Sequence, residues 1–191
     1  MAKRPKKVKP EPEAFDLEPA VRQVTHPSRS VTDAELKSTI APLKLTDAKL
    51  AFLTSFVQRS NGKYDDSVRE LSLEQLAEML LTMEPVSFEL GMWQGVVSFF
   101  PCRPGHEACV HISIWEPLYF RRPALAKALF RFAFKKWSLR RIFTLIPEPN
   151  VLANRLAKSV GMTQEGRVRS AFVYNGAEVA GILWGVLPGE V

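Results

Sequence analysis

The stretch "ACVHISIWEPLYFRRPALAKALFRFAFKKW", Ala108 to Trp137, decides how the rest of the chain is read. Its opening, Ala108 to Trp115, reads as a strand reached through the Pro104-Gly105 turn. After Arg121 and Arg122 comes a helix at about Ala124 to Trp137. The first turn of a helix leaves backbone N–H groups unpaired, and its dipole favours an anion there. Pro123 just inside the start removes no hydrogen bond and presets the helical angle. The two arginines add charge-assisted contacts to a phosphate. Phosphate-cradling loops are normally rich in glycine, however, and this helix start has none. The plainer reading is a surface helix whose stripe of Leu125, Leu129, Phe132 and Trp137 packs on a sheet, with Lys127, Arg131 and Lys135 in water.

Downstream, "RRIFTLIP" reads as a strand and "NVLANRLAKSVG" as a helix with Asn150 as N-cap and Gly161 as C-cap. The end reads as two strands joined at Asn175-Gly176. Upstream, "VSFELGM" and "GVVSFF" read as a hairpin across "WQ". Before Pro85 the texture is helical. Leu50, Leu53, Phe56 and Val57 recur at helical spacing behind a Thr46 N-cap, and Ser72 and Gln75 form a capping box. The order predicts an α/β (α+β) layered domain with a mixed, largely antiparallel central sheet flanked by helices.

With 191 residues the chain suits one domain plus an extension. Residues 1–29 are rich in Lys, Pro and Glu and read as a disordered basic arm, leaving 30–191 as the domain. A net charge of +6 invites a nucleic-acid reading, with the arm as the contact to DNA or to another protein. No apolar run is long enough to cross a bilayer and no secretory signal pattern is present, so a cytoplasmic location is expected. The two cysteines, Cys102 and Cys109, lack metal-site spacing, with only His106 and His111 nearby, and no metal is expected.

From about Phe88 to Leu187 the chain resembles the GNAT superfamily of acyl-CoA N-acyltransferases. In that family a strand ends at a loop of pattern (Gln or Arg)-x-x-Gly-x-(Gly or Ala), whose amides bind the acetyl-CoA pyrophosphate. Arg121, Ala124 and Ala126 fall on those positions, Ala124 replacing the first glycine, and Lys127 continues the helix. Asn150, Ala153, Leu156 and Gly161-Met162 match the spacing of the family's next helix. "QEGRVR" is similar to the start of its last hairpin in the branch that acetylates ribosomal proteins and other amines.

The resemblance implies acetyl-CoA as co-substrate and an amine as acceptor. It implies cofactor contacts at Trp115, Arg121, Arg122, Ala124, Ala126, Lys127 and Asn150. Many relatives place a proton-donating Tyr where this chain has Ala157. Glu116, at the end of the strand, is the candidate catalytic base, with Glu89 and His111 behind it. The arm, the "FELGMWQGVVSF" hairpin, "HISIW" and "IPEPN" together also resemble GNAT-like proteins encoded by bacteriophages. That likeness implies an inactive component of head assembly or of the virion, located in host cytoplasm or virion.

Overall fold

A computed structural model describes residues 40–60, 64–83, 86–90, 95–115 and 122–191. The basic arm, Glu116, Arg121, Pro85 and the "WQ" turn lie outside these residues. Among the described residues are seven strands: β1 (Ile40–Pro42), β2 (Ser87–Leu90), β3 (Gly95–Arg103), β4 (Glu107–Ile114), β5 (Arg141–Pro147), β6 (Thr163–Tyr174) and β7 (Ala177–Val186). The helices are α1 (Asp47–Arg59), α2 (Asp66–Arg69), α3 (Leu73–Met83), α4 (Arg122–Trp137) and α5 (Val151–Ser159). The strands form one sheet in the order β1-β2-β3-β4-β5-β7-β6. Every neighbouring pair is antiparallel except β4 with β5. This is the mixed, largely antiparallel sheet that the order of elements predicts. No described helix is long and apolar enough to cross a membrane.

Local chemistry accounts for the element ends. Thr46 caps α1 by accepting from the Lys49 amide. Ser72 and Gln75 exchange bonds at 3.2 and 2.8 Å as a capping box for α3. Gly161 closes α5 with φ +93°, a conformation that an L side chain resists. Asn175 and Gly176 both take positive φ in the two-residue turn joining Tyr174 to Ala177. The strand β1 and the short helix α2 are additions to the sequence reading.

The larger core lies between α4, α5 and one sheet face. Leu125, Leu129, Phe130, Ala133 and Phe134 of α4 pack there with Val97, Phe99, Val110, Ile142 and Ala157. The buried face of α4 is therefore rotated from the predicted stripe. Leu125 and Leu129 belong to it, but Phe132 is 42% exposed. Ala126 and Ala133 sit near the middle of the buried face, where small side chains let helix and sheet approach closely. Phe132 lies at the edge and covers the Phe88 ring at 5.4 Å.

Strand alternation separates a second layer. Phe88 and Leu90 enter the larger core, so Glu89 points to the other face, where it pairs with Lys49 of α1. There Leu50 and Leu53 of α1 pack against Leu76 and Leu80 of α3.

Candidate functional site

The site begins with a failure of strand pairing. β4 and β5 run parallel for only three residue pairs, Glu107–Arg141, Ala108–Ile142 and Cys109–Phe143. Beyond Cys109, β4 continues on β3 alone and β5 continues on β7 alone. A cavity of about 340 Å³ occupies the gap, within the size range of small-molecule sites. Val110 to Ser113 line one wall and Thr144 to Pro147 the other. Asn150 and Ala157 of α5 border it on one sheet face, and Tyr64 and Asp65 on the other.

Cys109 stands where the strands part. Its sulfur accepts from the Leu145 amide, and burial pushes its pKa up to about 11, so the group is a neutral thiol at physiological pH.

The direction of α4 follows from how it ends. The Gly105 amide, in the β3–β4 turn, donates to the Trp137 carbonyl at 2.8 Å, and the Arg140 amide donates to His106 at 2.8 Å. The last turn of α4 is thus tied to the start of β4, and the helix runs back along that strand. Sixteen residues of helix cover roughly 24 Å, close to the length of eight strand residues. Its first turn therefore lies toward the end of β4 where the sheet opens. No acidic residue occupies the first turn of α4 or α5, whereas α1, α2 and α3 each carry one. An anion is disfavoured by nothing in those two turns.

The sequence candidates divide by position. Asn150 is buried, lines the cavity and caps α5 by accepting from the Ala153 amide at 3.1 Å. Asn154 anchors the same turn, donating to the Pro147 and Asn150 carbonyls and accepting from the Trp184 indole at 2.8 Å. Ala124 is half-buried in the first turn of α4, and its amide belongs to the set without an intrahelical partner. Ala126 differs: at 2% exposure its side chain is core, and its amide falls within the helical ladder. The Lys127 ammonium lies 4.0 Å from where a Cβ on Gly161 would stand, at the C-terminal end of α5. Arg122 opens the helix, and only its backbone is described. Trp115 does not line the cavity; its ring stands 5.2 Å from Phe52 and 5.5 Å from Phe56 of α1.

Of the secondary bases, Glu89 is engaged by the Lys49 ammonium and by the Lys44 amide at 2.7 Å. His111 lines the cavity with Nε2 donating to the Phe100 carbonyl at 2.9 Å. Sequence reasoning missed Tyr64, Asp65 and Ser113. The Tyr64 hydroxyl donates to Ser113 Oγ at 2.8 Å. Burial raises its pKa, opposed by that hydrogen bond. Asp65, a charged side chain lining the cavity, caps α2 by accepting from the Ser67 amide at 3.0 Å. No local pattern marks this group, because Tyr64 and Ser113 meet only through folding.

No family model matches the chain, and no curated protein matches it in sequence. Solved structures do match in fold. A GNAT-family acetyltransferase from Bacillus anthracis superposes with TM-score 0.62 at 16% identity, over 80% of this chain and 96% of that one. A spermidine N-acetyltransferase from Vibrio cholerae, in complex with CoA and spermine, gives TM-score 0.62 at 16% identity over 80% and 98%. A ribosomal alpha-N-protein acetyltransferase in complex with coenzyme A gives 0.63 at 15% over 78% and 94%. The chain has the fold of these acetyltransferases.

Proposed function

We propose that the chain is an acyl-CoA-dependent N-acyltransferase that acetylates an amine by direct attack within the β4–β5 cleft. The observation that carries this reading is the parting of the two strands beyond Cys109 and Phe143, with a cavity in the gap. The residues fit a CoA thioester. The open first turn of α4, through the Arg122 and Ala124 amides with Arg121 beside them, would hold the pyrophosphate. Asn150 would hold the pantetheine arm. Lys127 would add positive charge along α4, and Ala126 would keep that helix close to the sheet. Glu116, which follows β4 in sequence, would act as the base, while Trp115, held against Phe52 and Phe56, would stand outside the cavity.

Acetyl-CoA supplies an acyl group activated as a thioester. The protein's part is to orient that group, polarise its carbonyl from the unpaired edge of β4, and manage protons. The fold neighbours that act on spermidine and on a ribosomal protein support an amine acceptor. Calorimetric titration of the full chain with acetyl-CoA tests the reading, with micromolar binding expected. No heat at millimolar ligand would overturn it and leave a non-catalytic member of the fold, such as a virion component.

A further inference from the structure

The geometry points to a two-hydroxyl proton relay, Tyr64 to Ser113, serving the transfer step. It rests on the acyltransferase reading and names residues that reading does not include. Ser113 is the next-to-last residue of β4, on the strand that parts from β5, and both residues line the cavity. Ser113 alternates with Ile112 and Ile114, which pack against the larger core, so its hydroxyl faces the side occupied by α1 and α3. There it accepts the Tyr64 proton at 2.8 Å. A hydroxyl that accepts one hydrogen bond still has its own proton to give. The Tyr64 ring is set edge-on to Phe56 at 6.3 Å, which fixes the phenol beside its partner. The phenol in this cavity comes from the segment just before α2. Among the described residues, His111 and Asp65 are the other titratable groups lining the cavity. His111 Nε2 is bonded to Phe100, and Asp65 holds the start of α2.

The step balances without another reactant. As the amine nitrogen bonds to the acyl carbon, the carbon–sulfur bond breaks and its electron pair leaves on sulfur. Ser113 gives its proton to that sulfur and takes the phenolic proton of Tyr64. Tyr64 takes the proton that the new amide nitrogen sheds, which restores both hydroxyls.

The test uses the full chain as wild type, Tyr64→Phe, Ser113→Ala and the double variant. Each is checked for an unchanged circular-dichroism melt; Tyr64→Phe keeps the ring contact with Phe56. Acetyl-CoA affinity is measured by calorimetry and kcat with a panel of amines. The relay predicts unchanged affinity and a kcat lowered roughly 100-fold in each single variant. The double variant should be no slower than the slower single one, because two links of one chain are not additive. A second readout is independent of turnover. The ultraviolet phenolate titration of Tyr64, taken as wild type minus Tyr64→Phe, should shift when CoA is added, and Ser113→Ala should abolish the shift.

Binding and turnover with unchanged kcat, with additive losses, or with no CoA-dependent shift overturn the relay alone. Absence of acetyl-CoA binding by the wild type overturns the transferase reading and the relay together.

Discussion

Asp66 and Gly176 stand 110 residues apart in sequence, and the Gly176 amide donates to Asp66 Oδ2 at 2.7 Å. The Asn175 amide donates to Oδ1 at 3.0 Å, so one carboxylate closes the whole β6–β7 turn. Arg69 pairs with the same carboxylate at 3.1 Å and reaches the Asn175 side chain at 3.2 Å. The clasp joins α2, which follows directly on Tyr64 and Asp65, to the last hairpin of the sheet. It therefore bears on the placement of one wall of the cleft.

The Gly176 amide is the main cause holding the Asp66 carboxyl below its ordinary value, with Asn175 and Arg69 adding to it against partial desolvation. A depressed folded-state pKa contributes stability that is complete above the unfolded value. That contribution is lost as pH falls through the folded value. Asp66→Ala should lower the melting temperature by about 2–4 °C at pH 7. The difference from wild type should shrink as pH is lowered below the ordinary aspartate range. Calorimetric melts at pH 7 and pH 3 check both parts, and a pH-independent difference would contradict the assignment.

The rotation of α4 sets a second test. Leu129 is fully buried, while Phe132 three residues on is 42% exposed. Leu129→Ala should cost about 2–5 kcal/mol by removing packed methyls and leaving a cavity. Phe132→Ala should cost about 1 kcal/mol or less, through its edge contact with Phe88. Urea unfolding of the two variants measures the contrast. Equal losses would return Phe132 to the buried face.

What the sequence made legible follows the range of the forces involved. Thr46, Ser72 with Gln75, Gly161 and Asn175-Gly176 were readable because a cap or turn is decided within a few residues. The stripe on α4 was legible in period but not in phase. Reading it by large residues drew in Phe132 and passed over Ala126 and Ala133, which lie nearer the middle of the contact. β1 and α2, three and four residues long, carry too few side chains for a periodicity to register. The cleft was visible only in outline. Asn150 could be found from its spacing within one helix. Tyr64 and Ser113, 49 residues apart, share no local pattern and are brought together by the packing of the helical layer on the sheet.

Cys109 offers a chemical probe of the point where the strands part. With its pKa pushed up to about 11 by burial, the thiol is almost wholly protonated at pH 8. Cys102, half-buried, is also raised by desolvation. The native protein should react slowly with a thiol-specific disulfide reagent at pH 8, and both cysteines should react at once in denaturant. The Cys109→Ala variant should remove the slower of the two native phases. A rapid native reaction lost in that variant would mean that the vertex is open to solvent.

Asn150 separates a capping role from a ligand role. Its Oδ1 accepts from the Ala153 amide, and aspartate caps a helix as well as asparagine does. Asn150→Asp keeps the cap acceptor and should melt closer to wild type than Asn150→Ala, which should lose about 1 kcal/mol. If the side-chain amide donates to the pantetheine arm, Asn150→Asp should nevertheless bind acetyl-CoA at least about tenfold more weakly, since a carboxylate offers no N–H there. Melts and calorimetric binding on the same preparations decide it. Unchanged affinity in Asn150→Asp would confine Asn150 to capping.

The first turn of α4 allows an equally divided test. Enlarging Ala126 cannot probe a ligand cleanly, because that side chain is 2% exposed within the core and the fold itself would give way. Ala124 is suited to it: it is half-buried, in a first turn that carries no acidic residue. A carboxylate introduced there interacts favourably with the helix dipole, so Ala124→Asp should leave the melting temperature unchanged or slightly raised. Toward a pyrophosphate at the same amides the added charge is repulsive, and acetyl-CoA affinity should fall at least about tenfold, most steeply at low ionic strength. Ala124→Gly should bind at least as tightly as wild type, since removing the β-carbon lets the diphosphate approach the amides. Stable variants with unaltered affinity would move the pyrophosphate away from α4.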